Sequence, residues 1–327
     1  MRFHILLCLL VPLFGLSPAG LETSGPMHGA SVQNPVTQFP PQPSQPIRVS
    51  TNLIQVPVSI TDADGNAVKT LQKEDFLIEE NGIPMTIDHL GEPGQARLEM
   101  VLVFDITGSV YTRFDFEKQA ATSFLQKVFR PGDEVSILSI SSVPRIIMSR
   151  ATTLGVALEG LNLLRPSAAD TPFFDSVVAA ARLLKEPLDL ETRRVQIVLS
   201  DGEDNRSELA LADALREVQQ ADCIIYSINP AGQSIRLNKI SMRGQQVMET
   251  LATQTGGSAF LADKLQDLAA IYGRIAAELQ AQYLLSYYAP DQKADGSFRY
   301  ITVRTPNKAG LRIRARQGYY ARKANHK

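Results

Sequence analysis

Oxygen-bearing side chains follow two apolar segments of the chain, at the point where each segment ends. Residues 103–109 read Val-Phe-Asp-Ile-Thr-Gly-Ser, which places one carboxylate and two hydroxyls at alternate positions. Residues 200–205 begin with Ser-Asp-Gly, and residues 170–172, Asp-Thr-Pro, lie between the two segments. Ligands of an open parallel sheet gather beyond the carboxyl ends of its strands. Five side chains are therefore predicted to converge: Asp105, Thr107, Ser109, Thr171 and Asp201.

These donors favour a hard cation. Carboxylate and hydroxyl oxygens without His or Cys suit Mg²⁺, with Mn²⁺ or Ca²⁺ as further possibilities. Two carboxylates at most neutralise a divalent ion, and the ion stays electrophilic where water stands between it and a carboxylate. An incoming carboxylate would then be a strong sixth ligand.

The sequence lacks the residues that histidine-based or nucleophilic catalysis would need. Of the four histidines only His89 lies in the body of the chain, which argues against His-based zinc, triad or relay chemistry. Ser109 or Ser200 as a nucleophile would lack a base. Cys223, in an apolar segment, is expected to be a buried and inert thiol. The sequence therefore predicts a binding protein and not an enzyme.

The composition is that of a globular chain with balanced charge. The 327 residues carry 33 Lys and Arg against 34 Asp and Glu, and 44% are hydrophobic. One large or two modest domains are expected. The balance gives no general attraction for nucleic acid, so no nucleic-acid partner is predicted. Basic residues alternate along 312–316 and are expected on the solvated face of an edge strand.

The first 46 residues indicate export. Residues 1–19 combine Arg2, a short apolar run and small residues at positions 17 and 19, which is typical of a signal peptide. No later run reaches about 18 apolar residues, so no transmembrane segment is predicted. Residues 20–46 are rich in Pro, Gln and Ser and are expected to form a flexible leader. The mature protein is predicted to be secreted or periplasmic.

The remaining chain divides into a β-rich segment, an α/β segment and a second β-rich segment. Residues 47–97 alternate apolar and polar positions and include an Asn81-Gly82 hairpin turn. Residues 98–280 alternate apolar runs with helical patterns, which predicts a doubly wound, Rossmann-like, mostly parallel sheet, with 146–148 antiparallel at one edge. Residues 281–322 return to short strands, and 323–327 form a tail. Because each β segment is too small alone, the two are predicted to pack as one sandwich around the inserted α/β domain.

The site residues resemble the von Willebrand factor A (VWA) domain and its metal-ion-dependent adhesion site. The family pattern is Asp-x-Ser-x-Ser, a distant Thr and a distant Asp in a strand-end Asp-Gly. The resemblance covers about residues 98–280, including Thr255-Gly256-Gly257 before the last sheet strand. It implies a metal held by the five residues named above, with Thr171 coordinating more directly when ligand is bound. Thr107 departs from the family Ser, and Ala168-Ala169 replaces the usual Gly pair.

The whole chain also resembles bacterial exported proteins in which a VWA domain is flanked by short β segments. The residues that carry this resemblance are the turn at 60–65 and Arg-Gln-Gly-Tyr-Tyr at 316–320. The resemblance to the VWA adhesion site implies a Mg²⁺-dependent protein-binding or adhesion module, whereas the second resemblance implies no particular ligand.

Two alternatives remain. A metal-dependent hydrolase could use the same ion, with Glu203 as the nearest candidate base. A structural envelope protein would never bind metal at all. The stretch Asn229–Gln245 is expected to be a long connection after a strand, which either helps to select the ligand or is a plain surface loop.

Overall fold

The computed structural model describes residues 53–107, 113–184, 192–232, 239–289 and 295–321. The predicted signal peptide, the leader and the 323–327 tail lie outside the described residues. Within the described ranges, no helix has the length and apolar character needed to cross a membrane.

The chain begins with strands that alternate buried and exposed side chains. In the first of them, Ile54, Val56, Val58 and Ile60 point into a core, as the alternation predicts. Asn81 and Gly82 both have positive φ, of 50° and 80°, which is the backbone of the predicted tight hairpin. The strands of this segment are β1 (Leu53–Thr61), β2 (Leu77–Glu80), β3 (Ile83–Met85) and β4 (Ile87–Gly91).

The central sheet follows, with six strands in the order β10-β9-β8-β5-β6-β7. All neighbours are parallel except β7, which pairs antiparallel with β6 at the edge, so the prediction for 146–148 is confirmed. The strands are β5 (Arg97–Asp105), β6 (Glu134–Ile140), β7 (Arg145–Ala151), β8 (Thr192–Leu199), β9 (Cys223–Asn229) and β10 (Ala259–Leu261). Central strands are buried on both faces, as their continuous apolar runs indicate. Cys223 is a buried free thiol, as expected.

Helices cover both faces of this sheet, which makes it doubly wound. Three of them (α1, α2 and α6) pack on one face and three (α3, α4 and α5) on the other. The helices are α1 (Phe114–Val128), α2 (Leu154–Leu163), α3 (Phe173–Leu184), α4 (Leu211–Gln220), α5 (Lys239–Thr255) and α6 (Asp267–Leu279).

The expectation of a long connection at 229–245 is wrong over its second half. Helix α5 begins at Lys239, and Gly244, which suggested a loop, lies inside the helix. A side chain there would meet the carbonyl oxygen of Asp201 at 2.5 Å, so glycine lets the helix contact that loop directly. Residues 233–238 lie outside the described part of the chain.

The two ends of the chain form a sandwich of two four-stranded sheets, as predicted. The last strands are β11 (Tyr283–Tyr288), β12 (Phe298–Arg304), β13 (Arg312–Ala315) and β14 (Gly318–Tyr320). One sheet has the order β13-β1-β11-β4 and the other β14-β12-β2-β3, so each mixes strands from both ends of the sequence. Their inner faces share one apolar core, which includes Val56, Ile78, Leu285 and Ile301.

The α/β domain enters and leaves the sandwich at one place. The Gly94 N–H donates to the Gln282 carbonyl over 3.3 Å, so the two connections are adjacent. Arg193 is buried there and donates to the Leu279 carbonyl at 2.7 Å and the Ala96 carbonyl at 3.2 Å. The domain is therefore an insertion whose two ends lie side by side.

The basic strand near the carboxyl end is only partly solvated, contrary to expectation. Arg312 is exposed, but Arg314 forms an ion pair with Glu278 of α6. Arg316 is buried and forms an ion pair with Asp222, and it also lies over the Tyr319 ring. Two of the three arginines thus face the α/β domain, because the strand that carries them packs against that domain.

Candidate metal site

Asp105, the last residue of β5, is held by hydroxyl groups on both carboxylate oxygens. The Thr107 hydroxyl donates to Oδ1 at 2.6 Å and the Ser200 hydroxyl to Oδ2 at 2.7 Å. The Thr107 backbone N–H also donates to Oδ1, at 3.0 Å. Because Ser200 directly follows the neighbouring strand β8, the sheet itself fixes the orientation of this carboxylate.

Thr171 reaches the same point from the loop before α3. Its Oγ1 lies 2.8 Å from Oγ1 of Thr107. Its backbone N–H donates to the side-chain oxygen of Asn205 at 2.8 Å, and the Asn205 N–H returns a bond to the Thr171 carbonyl at 3.2 Å. The Thr171 loop is therefore tied to the loop that carries Asp201.

Asp201 lies in a turn that only glycine can complete. Gly202 has a φ of 75°, and the Glu203 N–H donates to the Asp201 carboxylate at 3.1 Å. The side-chain amide of Asn229, at the end of β9, donates to the Asp201 carbonyl at 3.4 Å and to Gln245 of α5 at 3.0 Å. Helix α5 and strand β9 together support this loop.

The structure therefore places four of the five predicted residues at the carboxyl end of the central sheet. They are Asp105, Thr107, Thr171 and Asp201; all but Asp201 are buried, and Asp201 is partly buried. The fifth, Ser109, lies outside the described residues. Ser200, which sequence reasoning weighed only as a nucleophile, is instead a hydrogen-bond donor to Asp105.

Burial disfavours negative charge on both carboxylates. It raises the pKa of Asp105, although the hydrogen bonds from Thr107 and Ser200 act in the opposite direction. It also raises the pKa of Asp201 to about 6, and the nearby Asp105 charge contributes to that rise. Because these two carboxylates are close together and resist ionisation, a cation between them would stabilise their charged forms.

A third carboxylate, Glu117, lies behind the site and was missed by the sequence reasoning. It is 1% exposed on α1, and its carboxylate pairs with Nε of Arg113 at 2.9 Å. Burial raises its pKa to about 7, against the lowering effect of Arg113. A sequence signal did exist, because Glu117 occupies the same helix face as the buried Phe114, Ala121 and Phe124.

The donors present fit a hard divalent cation. No group of three or more His, Cys, Asp or Glu side chains able to hold a metal occurs in the described ranges, so two carboxylates, hydroxyls and water would make up the shell. That combination of oxygens is the one Mg²⁺ accepts. The residues that would hold it are Asp105, Thr107, Thr171 and Asp201, with Ser109 predicted from sequence.

Glu203, the candidate base of the hydrolase alternative, already has a partner. Its carboxylate accepts a hydrogen bond from the Ser241 hydroxyl of α5 at 2.7 Å. Its carboxylate is thereby anchored to α5, while its N–H supports the Asp201 carboxylate.

Comparison with known proteins identifies the family. The von Willebrand factor type A domain matches residues 99–274, more than half of the chain, so this protein belongs to that family. Among curated proteins, no sequence matches it significantly.

Solved structures share the fold at low identity. Proximal thread matrix protein 1 from the mussel byssus, with a zinc-occupied metal-ion-dependent adhesion site, aligns with 14% identity and a TM-score of 0.50. The alignment covers 62% of this chain and 50% of the mussel protein, so this chain spans about half of that relative. BatB from Bacteroides thetaiotaomicron aligns with 16% identity and a TM-score of 0.44, over 55% of this chain and 97% of BatB.

Proposed function

We propose that this protein is an exported, divalent-cation-dependent protein-binding module that uses Mg²⁺ to accept an acidic side chain from its partner. The observation that carries the proposal is the hydroxyl-linked set Asp105, Thr107 and Thr171, which stands with Asp201 at the ligand-binding end of the sheet. Membership of the VWA family supports it.

The charges at the site suit a bound ion that still attracts an anion. Asp105 and Asp201 supply two negative charges, while Glu117 is paired with Arg113. A divalent ion would thus be neutralised only by the two aspartates, and the hydroxyls of Thr107 and Thr171 add no charge. Where water stands between this ion and an aspartate, the ion stays electrophilic and can accept a carboxylate from a partner.

Two exposed apolar side chains at the start of α5 suit a protein partner. Ile240 and Met242, in the first turn of α5, are 63% and 54% exposed. Ser241 between them is bonded to Glu203 of the Asp201 loop, so these side chains lie next to the site. Apolar contact beside one charged anchor is typical of the centre of protein interfaces.

We propose that the protein is not an enzyme. The hydrolase alternative depends on a base, and Glu203, the nearest candidate from sequence, is engaged by Ser241. Hydrolysis of p-nitrophenyl phosphate with Mg²⁺ tests this alternative, and we expect no turnover above that of Asp105→Ala.

The binding function is tested by capturing partners from an envelope extract. We expect wild type to retain a partner in Mg²⁺ and to release it in EDTA. Thr171→Ala should weaken partner capture more than it weakens Mg²⁺ affinity, because the family Thr coordinates more directly in the ligated state, while Thr171→Ser should restore capture.

Two results would contradict the proposal. One is capture that is equal with and without EDTA. The other is an equal loss of Mg²⁺ affinity and capture in Thr171→Ala, which would leave no coupling between the metal shell and the partner.

A further inference from the structure

A cavity of about 400 Å³ lies where the sandwich meets the α/β domain. Strands β1 and β13 form one wall, and α6 with Phe260 of β10 forms the other. The volume falls within the range of about 300–1,000 Å³ that is usual for small-molecule sites. None of the four described metal-site residues, Asp105, Thr107, Thr171 and Asp201, lines it.

One carboxylate in the cavity, that of Glu278, is engaged by its surroundings through one of its oxygens. Oε1 of Glu278 accepts hydrogen bonds from the Ser59 hydroxyl at 2.9 Å and the Tyr226 hydroxyl at 2.7 Å. Arg314 forms an ion pair with the same oxygen. The Glu278 charge is thus balanced within the wall itself.

Two further arginines, Arg274 and Arg312, line the cavity without a carboxylate partner among the described residues. Arg274 lies over the Phe260 ring at 5.0 Å, and Arg312 is exposed at the rim. Across the described part of the chain, neither makes an ion pair with a carboxylate. The buried Nε–H of Arg314 also finds no hydrogen-bond acceptor among those residues.

The nearest turn makes no ion pair with these arginines in the described residues. Gly65 lines the cavity, and Asp62 lies in the same turn. The Asp62 carboxylate instead accepts hydrogen bonds from the backbone and side chain of Asn66, at 2.8 Å and 3.2 Å. Among the described residues, the cavity therefore carries two guanidinium groups without an ion-pair partner and one donor without an acceptor.

We infer that this cavity binds a small organic anion through Arg274, Arg312 and Arg314. Guanidinium groups pair with carboxylate and phosphate in a forked geometry, so either group is a suitable anchor. Ile60 and Ile313 supply apolar wall for the body of the molecule. The volume admits a ligand about the size of a single sugar ring.

The test uses three probes that share one ring. Glucuronate carries a carboxylate, glucose 6-phosphate carries a phosphate, and glucose carries neither. Binding to the full chain is measured by calorimetry in EDTA. We expect one or both anions to bind and glucose to give no signal; the anion that binds identifies the anchor.

Arginine variants test whether the anion binds in the cavity. The double variant Arg274→Gln/Arg312→Gln should lower the affinity at least about tenfold. The control Arg145→Gln/Arg304→Gln removes the same charge from two exposed arginines outside the cavity and should bind as wild type does. Melting curves confirm that both variants fold, since all four side chains are exposed.

Three results would overturn the inference: neither anion binds wild type, glucose binds as well as the anions, or the cavity variant retains wild-type affinity. Asp105→Ala should leave anion binding unchanged. A loss in that variant would place the anion at the metal site and overturn the inference too, whereas failure of Mg²⁺ binding alone would not affect it.

Discussion

The residue that organises the candidate metal site is Asp105. Both of its carboxylate oxygens accept hydroxyl hydrogen bonds, from Thr107 and Ser200, so its position is fixed before any ion arrives. Such preorganisation lowers the cost of binding because the ligand need not reorder the side chain. The strand-end positions of Asp105, Thr107 and Asp201 could be predicted from sequence, because apolar runs reveal where buried strands end. Thr171 could be placed just before a helix.

Glu117 could not be placed from sequence in the same way. Its position on the apolar face of α1 was visible, but its proximity to the site depends on how α1 packs beside β5. Only the structure shows that the Asp105 charge contributes to raising its pKa, after the larger effect of burial.

Glu117 yields a prediction about pH. Its pKa in the folded protein is about 7, above its ordinary value of 4.5, because burial disfavours its charge. The folded state therefore holds this proton more tightly than the unfolded state does. The stability that the bound proton adds to the folded state is present below about pH 4.5 and is lost as the pH rises to about 7. The Glu117→Gln variant has no carboxyl group at this position, so it cannot lose this stability as the pH rises. In EDTA, wild type should lose about 3 kcal/mol relative to Glu117→Gln between pH 4.5 and 8, as measured by urea unfolding.

The matched control is Glu159→Gln on α2, where the side chain is exposed. Its stability should follow that of wild type throughout the same range. A wild-type curve parallel to that of Glu117→Gln would show that Glu117 does not titrate as its burial requires.

At the scale of elements, periodicity predicted most of the fold and failed where glycine has a packing role. The strands of the central sheet and the alternation of β1 follow directly from the apolar pattern. Helix α5 was not predicted because Gly244 suggested a loop. In the structure this glycine lets the helix contact the Asp201 loop. Such a close approach between distant parts of the chain leaves no periodic signal.

Gly244 therefore gives a prediction about the metal site. Gly244→Ala adds a methyl group that would meet the Asp201 carbonyl at 2.5 Å, so the Asp201 loop must shift. We expect Mg²⁺ affinity to fall about tenfold, since displacement of one ligand loop costs on the order of 1–3 kcal/mol. Calorimetric titration measures the change.

Gly155→Ala in α2 is the control, because a methyl group there meets nothing within 4 Å. It should bind Mg²⁺ as wild type does. Wild-type affinity in Gly244→Ala would mean that the contact with α5 does not position Asp201.

At the scale of the whole molecule, residues 316–320 contact the α/β domain and join it to the sandwich. The Gln317 N–H donates to the Gln254 carbonyl at 3.2 Å, and a side chain at Gly256 would meet the Arg316 backbone nitrogen at 2.6 Å. Arg216 of α4 lies over the Tyr320 ring at 5.1 Å. The Arg-Gln-Gly-Tyr-Tyr segment noted in the sequence is thus an interface, which spacing alone could not reveal.

Truncation after Gln280 tests whether the two chain ends depend on each other. It removes β11 and β13, which flank β1 in its sheet, and β12, the partner of β2. Residues 53–91 should then lose protection from hydrogen exchange, because their remaining strands are too few to be stable. Protection that persists there would show that the N-terminal strands fold without their C-terminal partners.

The most direct test of the central claim is a calorimetric Mg²⁺ titration of wild type and Asp105→Ala. Asp88→Ala is the control, because it removes an equal charge from an exposed position in the sandwich. We predict that wild type and Asp88→Ala bind one Mg²⁺ with the same affinity, while Asp105→Ala melts cooperatively but shows no binding. Wild-type affinity in Asp105→Ala, or no binding by wild type, would contradict the assignment of the metal site.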